Sequence, residues 1–344
     1  MKKKDRPLTG EPALIEALRK RFAPAPPGVI LGIGDDCAAI TPNGSEYLLW
    51  TVDTLLEGVH FDLSYTSLSQ LGWKALAVNL SDIAAMGGEP RYALLSLGWP
   101  PGRERSAALE LADGLAQAAR HYGVAVIGGD TVASPGGVAV TLTLLGAVPG
   151  AQMLRRSGAR EGDRIYVTGV LGESAAGLEI LKGGLEVEPA TKAALCRAHL
   201  APQPQLQAGR LLAREGLATS CIDLSDGVAT DLFHVCRAGG VGARIPKASV
   251  PVSPKVKAVA PLLGRDPLDL ALKGGEDYHL LFTSPPELAG RLSQAFSLAG
   301  LPPPLPLGEI VAAAGVLLCT QEGEMDISGA GFDHFRLDLK GEGI

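Results

Sequence analysis

Seven aspartates of this chain sit at the ends of apolar runs, inside short turns rich in glycine, serine or threonine. They are Asp35 and Asp36 in GIGDDCAAI, Asp53 in LLWTVDT, Asp82 in VNLSDIAAMGG, Asp130 in VIGGDT, and Asp223 and Asp226 in CIDLSDG. A fold that gathers them into one site must oppose their repulsion, about 4 kcal/mol for two charges at 4 Å with an effective dielectric near 20. Something positive has to join them. Oxygen-only ligand sets favour hard cations such as Mg²⁺, often bridged to a phosphorylated ligand. The pattern therefore makes the chain a candidate for magnesium–nucleotide chemistry.

The bulk numbers narrow the setting. At 344 residues the chain is long enough for two cores. Hydrophobic residues are 46% and charged residues 20%, which reads as a soluble globular protein. Aromatic residues are only 5%, beside 44 Gly and 25 Pro, so tight turns between small-residue elements are expected. A net charge of −6 argues against a general nucleic-acid or anionic-membrane surface. Five cysteines (Cys37, Cys196, Cys221, Cys236, Cys319) with no C-x-x-C spacing fit neither a disulfide framework nor a zinc site. The basic start MKKKDRPLTGEP has no apolar stretch behind it, and the apolar run Ala75–Met86 is broken by Asn79, Ser81 and Asp82. A cytoplasmic enzyme with reduced thiols and no membrane span is the expectation.

Hydrophobic periodicity predicts a helix over 11–22, then a proline-rich segment, Ala23–Gly28. Strands are expected at 29–34, 47–52, 91–99, 124–128 and 138–148, with helices at 68–86 and 104–121. Val148-Pro149-Gly150 marks a domain boundary, dividing the chain into residues 1–149 and 150–344. In the second part strands are expected at 164–168, 218–222, 241–245, 270–273, 278–283, 305–310 and 315–319. Helices are expected at 173–182, 190–199, 204–214, 226–238, 254–262 and 286–298. Such mixed order predicts α/β or α+β layers in both parts.

Neither a G-x-x-x-x-G-K-[ST] loop nor a full G-x-G-x-x-G fingerprint is present, since Cys37 takes the third glycine position after Gly32 and Gly34. Each acid also has a plain structural alternative. Asp35 and Asp36 would serve in an Asx-type turn, and Asp53 in a strand-end turn. Asp82 would cap a second helix starting at Ser81 or Asp82, and Asp226 would cap the helix after it. Yet Asn79 and Asp82, three residues apart, share one face of a helix apolar enough to be buried, where a carboxylate needs a partner. Gly128-Gly129-Asp130-Thr131 puts an acid after an apolar strand, an edge where ligands of open α/β sheets sit. A helix start after Asp226 is equally a phosphate site. His60, Arg155-Arg156 and the turn Gly274-Gly275-Glu276-Asp277-Tyr278 are either ligand contacts or ordinary structure: a structural histidine, solvated arginines and a hairpin turn.

Taken together, GIGDDCA, VDTLLEGVHF, KALAVNLSDIAAMGGEP, IGGDT, RRSGAREGDRIYVTG, IDLSDG and GGEDYHLLFT resemble the thiamine-monophosphate kinases. The resemblance runs in order from about Gly32 to Phe335. It implies a two-domain aminoimidazole ribonucleotide synthetase-like fold, with the N-terminal sheets of two subunits pairing in a homodimer. It also implies phosphorylation of thiamine monophosphate by ATP to give thiamine diphosphate. The implied Mg²⁺ ligands are Asp35 or Asp36, Thr51, Asp53, Asp82, Asp130, Asp223 and Asp226. Gly129, Asp130, Arg156, Ser225 and Tyr122 are implied at ATP, and His60, Glu276 and Phe332 at thiamine monophosphate. Asp82, Asp130, Asp226 and Arg156 are implied in catalysis. The carboxylate of Glu276 would favour the fixed positive charge of thiamine, and Phe332 would offer a ring or cation–π face. The family often has Ser/Thr-Thr-Asp where this chain has Thr51-Val52-Asp53, so a hydroxyl is missing at Val52.

Two alternatives remain at this level. One is another ATP-using enzyme of the superfamily. Selenophosphate synthetase needs a reactive Cys or selenocysteine near its start, and no Cys precedes Cys37; the hydrogenase-maturation protein ends in a Cys-terminated tail, whereas this chain ends GEGI. Aminoimidazole ribonucleotide synthetase lacks the VDTLLEGVHF and KALAVNLSDIAAMG wording. The other alternative is a non-catalytic magnesium–nucleotide-binding regulator.

Overall fold

The computed structural model describes residues 10–22, 26–41 and 45–333. The basic N-terminus, the start of the Ala23–Gly28 segment and the end of the family resemblance lie outside them. After helix α1 (Gly10–Arg21), the first layer is a six-stranded sheet built from β1 (Val29–Leu31), β2 (Ala38–Ile40), β3 (Glu46–Leu56), β4 (Glu89–Trp99), β5 (Ala125–Ala133) and β6 (Ala139–Pro149). Its order is β1-β2-β3-β6-β4-β5, with only β4 and β5 running parallel. Helices α2 (Leu68–Ala85) and α3 (Arg105–Tyr122) cover one face.

The second sheet has the order β13-β12-β9-β11-β7-β10-β8. Its strands are β7 (Arg164–Val167), β8 (Ser220–Asp223), β9 (Gly242–Pro246), β10 (Leu280–Ser284), β11 (Leu305–Val311), β12 (Gly315–Thr320) and β13 (Gly323–Asp326). Helices α4 (Glu173–Gly183), α5 (Pro189–Leu200), α6 (Leu206–Glu215), α7 (Val228–Gly239), α8 (Pro254–Val259), α9 (Pro267–Lys273) and α10 (Ala289–Leu298) pack around it. The first sheet ends at Pro149 and the second begins at Arg164. We place the division between domains in this interval, close to the expected 149/150 boundary.

Helix α2 is the centre of the molecule. Ser67 and Gln70 form a reciprocal capping box that fixes its start. Beyond the cap the helix is apolar nearly all round, as a helix buried on several sides must be. It packs against α3, β3 and β6 of the first domain and against α6 and β8 of the second. Glycine makes these approaches possible. A Cβ on Gly72 would lie 2.1 Å from the Leu111 carbonyl oxygen, one on Gly114 1.9 Å from that of Ser69, and one on Gly209 of α6 2.0 Å from that of Ala84.

Four expectations need correction. Residues 270–273 form the end of α9, not a strand: Asp266 caps Leu268 N–H at 2.8 Å and Pro267 takes the first helical position. The apolar run was too short for its period to discriminate helix from strand. Strand β1 stops at Leu31 rather than Gly34, and the short β2 and β13 lie where the periodicity predicts no strand. Strand β5 continues through GGDT to Ala133, because the register slips by one residue against β4 and Gly129 turns with φ 156°. Helix α2 runs unbroken past Asp82, so Asp82 is not the cap of a second helix.

The opposite face of the first sheet is apolar and uncovered in the single chain. Trp50, Val52 and Leu56 on β3, Tyr92 and Leu94 on β4, and Ile127 on β5 are exposed.

The glycine contacts yield a stability prediction. Gly114→Ala drives a Cβ into the Ser69 carbonyl and is expected to cost about 2 kcal/mol, read from denaturant midpoints. Gly290→Ala on α10, where a Cβ meets nothing within 4 Å, is the neutral control. Equal midpoints for the two variants would contradict the α2–α3 packing.

Candidate active site

Three elements deliver acids to one point. The turn before β2 brings Asp36, α2 brings Asp82, and the C-terminal end of β8 brings Asp223. These three can each offer an oxygen within 4.8 Å of the others. Thr51, on the helix-facing side of β3, donates its hydroxyl to Asp82 Oδ2. Asp53 lies two residues on, on the same side of β3, and its charge bears on both Asp82 and Asp223. Both residues are inside the strand rather than at its end, since β3 runs on to Leu56. Val52 points to the other, exposed sheet face. A hydroxyl side chain at that position would face away from these acids, so the departure from the family wording removes no side-chain ligand here.

Arg156 closes the ring. Its guanidinium lies 2.6 Å from Asp36 Oδ1, and its backbone N–H approaches both Asp35 oxygens at 3.2 and 3.3 Å. One guanidinium does not balance these carboxylates. Burial, and then the Asp36 charge, push Asp35 up to about 7 and Asp223 up to about 8. Burial alone raises Asp53 to about 6. Burial, followed by the charges of Asp53, Asp223 and Asp36, raises Asp82 well above the usual carboxylate range. Asp226 rises to about 7, chiefly by burial.

Among the described residues, Asp36 Oδ2 is buried with no hydrogen-bond partner. An orphaned carboxylate oxygen, beside further acids and a hydroxyl, fits a hard divalent cation such as Mg²⁺. The donor set is all oxygen, which disfavours zinc or copper.

A second layer is tied to the first through the backbone. Asp226 and Ser225 lie in the turn between β8 and α7; the N-cap of α7 is Gly227, so Asp226 does not cap that helix. The Ser225 carbonyl accepts Glu276 N–H at 2.7 Å and the Leu224 carbonyl accepts Tyr278 N–H at 2.9 Å. The Asp226 carbonyl accepts Phe332 N–H at 3.0 Å. The turn carrying the acids is thus joined to Glu276 and Phe332, two of the expected acceptor contacts. Glu276 and Tyr278 have φ of 56° and 50°, the positive-φ non-glycine residues among those described. Such backbone costs about 1–3 kcal/mol each and concentrates at functional sites.

Other expected residues lie elsewhere. Asp130 is exposed on the edge strand β5, its carboxylate accepting Thr131 N–H at 2.9 Å. Two strands separate β5 from β3, about 14 Å at the usual strand spacing. Gly129 is beside it, where a Cβ would strike the Leu95 carbonyl. His60 sits in the turn after β3, its Nδ1 accepting Leu56 N–H. Tyr122 packs with Trp73 and His121 and donates its hydroxyl to Gln203 at 3.2 Å.

Three site-lining residues escaped the sequence reading. Lys74, 1% exposed, places its ammonium 2.8 Å from Glu276 Oε1, and His199 Nδ1 is 3.1 Å from Oε2. Glu276 is therefore paired inside the protein rather than free to attract a cation. Burial opposes its ionisation, but Lys74 and His199 outweigh that and hold it well below the usual carboxylate range. The buried Asp231 accepts Asp226 N–H at 3.1 Å. A lone lysine in the apolar α2 run was the available signal for the first.

The chain belongs to the AIR synthase related proteins. Models of their N-terminal and C-terminal domains match residues 34–148 and 160–318. Within that class the chain belongs to the thiamine-monophosphate kinase family. It is 42% identical to the Escherichia coli K12 thiamine-monophosphate kinase over 330 residues, covering 95% of this chain and 98% of that one. It is 35% identical to the Bacillus subtilis one over 314 residues, covering 90% and 94%. A crystal structure of the Aquifex aeolicus thiamine monophosphate kinase superposes with TM-score 0.76 at 32% identity, covering 91% and 97%. AaThiL complexed with AMPPCP and TMP gives TM-score 0.80 at 32% identity, covering 92% and 96%. A hydrogenase maturation protein HypE in complex with ATP, at 20% identity and TM-score 0.69, shares the fold.

The raised carboxylates carry a pH consequence. With folded values near 7 to 8 against about 4 unfolded, Asp35, Asp223 and Asp226 keep protons in the folded chain that the unfolded chain has released. Their contribution to stability is therefore lost as pH rises from about 4 through about 8. A cation binding the deprotonated acids restores it. Added Mg²⁺ is expected to raise Tm more at pH 8 than at pH 6, by about 3 °C or more. An equal or larger gain at pH 6 would rule out these acids as the magnesium ligands.

Proposed function

We propose that this protein catalyses Mg²⁺-dependent transfer of the ATP γ-phosphate to thiamine monophosphate, giving thiamine diphosphate and ADP. The observation that carries this reading is the convergence of Asp36, Asp82 and Asp223 around an orphaned carboxylate oxygen, tied through the backbone to Glu276 and Phe332. Family membership and the likeness to AaThiL complexed with AMPPCP and TMP support the choice of substrates.

In the proposed reaction the terminal phosphate oxygen of thiamine monophosphate forms the new bond to the γ-phosphorus. The bond to the β–γ bridging oxygen breaks, and ADP leaves in line with the attack. The acceptor oxygen is already anionic, so the chain needs no general base. Magnesium, when bound, supplies neutralisation of phosphate charge. Asp35, Asp36, Thr51, Asp53, Asp82, Asp223 and Asp226 would hold it. Asp36 holds Arg156, whose guanidinium would stabilise charge on the transferring phosphoryl group. The backbone of Ser225 aligns the Glu276 loop, and its side chain would contact ATP. Asp130 and Gly129 on β5 are assigned to the nucleotide end of the cleft, beyond the reach of the central acids. Tyr122 is assigned to the adenine, and His60 and Phe332 to the acceptor.

We further infer a homodimer in solution, built on the exposed sheet face of Trp50, Val52, Leu56, Tyr92, Leu94 and Ile127. An apolar sheet face of this breadth is normally covered. The family resemblance implies that the N-terminal sheets of two subunits pair, which makes a second copy of the same face the proposed cover.

Thiamine diphosphate should form from thiamine monophosphate and ATP only when Mg²⁺ is present, followed by chromatography of the products. No turnover under these conditions, with another superfamily substrate consumed instead, would sink the reading. Asp82→Asn should lower kcat at least about 100-fold while the metal-free Tm stays level or rises, because a buried repulsion has been removed. Wild-type turnover would take Asp82 out of the site. Ile127→Asp should shift sedimentation to the monomer; an unchanged dimer would place the interface elsewhere.

A further inference from the structure

Lys74 is the largest fully buried charged side chain in the first domain's interior, and its partner comes from the other domain. It stands on α2, between Trp73 and Ala75, with its ammonium 2.8 Å from Glu276 Oε1. The other carboxylate oxygen of Glu276 faces His199 Nδ1 at 3.1 Å, and Ser174 Oγ lies 3.1 Å from that same nitrogen. His199 is 3% exposed, and burial, followed by the Lys74 charge, lowers its pKa, against the opposing pull of Glu276. The Lys74 ammonium and the Glu276 carboxylate thus face each other as a pair drawn from the two domains. The Glu276 side chain keeps about a quarter of its surface open, while both partners are sealed behind it.

This arrangement is costly unless it serves something. A buried lysine loses its hydration and a large rotamer entropy. The backbone at Glu276 is held at φ 56°. The ion pair is what aims a carboxylate on that strained turn. Lys74 also shares α2 with Asp82, eight residues later, about 12 Å along the helix axis. One rigid helix thus sets the spacing between the acceptor carboxylate and the metal-holding acids.

We propose that Lys74 is a positioning residue for the phosphate acceptor: it neutralises Glu276 and aims its carboxylate, so that Glu276 meets the acceptor as an oriented hydrogen-bond acceptor and not as a free counter-ion. The proposal rests on the assignment of Glu276 to the acceptor made above. It differs from a purely structural role in what it does to substrate kinetics.

Steady-state kinetics with thiamine monophosphate and ATP test it. Lys74→Met should raise the KM for thiamine monophosphate about tenfold and leave the KM for ATP within about twofold. Glu276→Gln should raise the same KM. The double variant Lys74→Met/Glu276→Gln should be no worse than about twofold beyond the weaker single variant, since both changes remove one interaction. It leaves no unpaired buried charge, so it carries the test if Lys74→Met fails to fold. A rise under about threefold for Lys74→Met, parallel rises in both KM values, or fully additive effects in the double variant would overturn the proposal. A wild-type KM in Glu276→Gln would instead overturn the underlying assignment of Glu276.

Discussion

The mutual repulsion of buried carboxylates is the constraint to which the rest of this structure answers. Asp36, Asp82 and Asp223 are brought together by a turn, a helix and a strand end from both domains, with Arg156 as their nearest counter-charge. Such a cluster cannot drive folding; it has to be held in place by packing elsewhere. The holding element is α2, apolar nearly all round and pressed against both domains through glycines that admit backbone contact. The strength of that packing permits an electrostatically unfavourable centre, one whose repulsion a bound cation would relieve.

What the sequence disclosed follows from which interactions are local. Long periodic segments such as α2 and α3 announce themselves through hydrophobic spacing and caps. The central acids were visible because each follows an apolar run beside glycine, serine or threonine in the sequence, and that shared wording was more informative than any single aspartate, although Asp82 lies inside α2 and Asp223 ends β8. Asp130 is placed differently. It shares the pattern, yet its strand runs on past the glycines and is the edge strand of the sheet, where Asp130 is exposed and apart from the central three. Lys74 and His199 were hidden for the opposite reason. Nothing near either one in the chain reveals that both converge on Glu276.

The helix at Pro267–Lys273 and the orientation of Val52 teach the same distinction on a smaller scale. In the first, a cap and a proline decided what three apolar residues and a lysine left ambiguous. In the second, strand alternation made an apparent loss irrelevant: the missing hydroxyl belongs to the face that carries Trp50 and Leu56, away from the acids. A departure from a family motif has chemical meaning only once the face it occupies is known.

The backbone hydrogen bonds from Glu276, Tyr278 and Phe332 to the Leu224–Asp226 turn have a thermodynamic corollary. Two ligands that order the same strip of main chain share the cost of ordering it. Whichever arrives first lowers that cost for the other, and the gain is reciprocal by linkage. Cation and acceptor would then report on each other's presence with no sensor beyond three amide hydrogens, and the chain would favour the fully assembled complex over either half-loaded one.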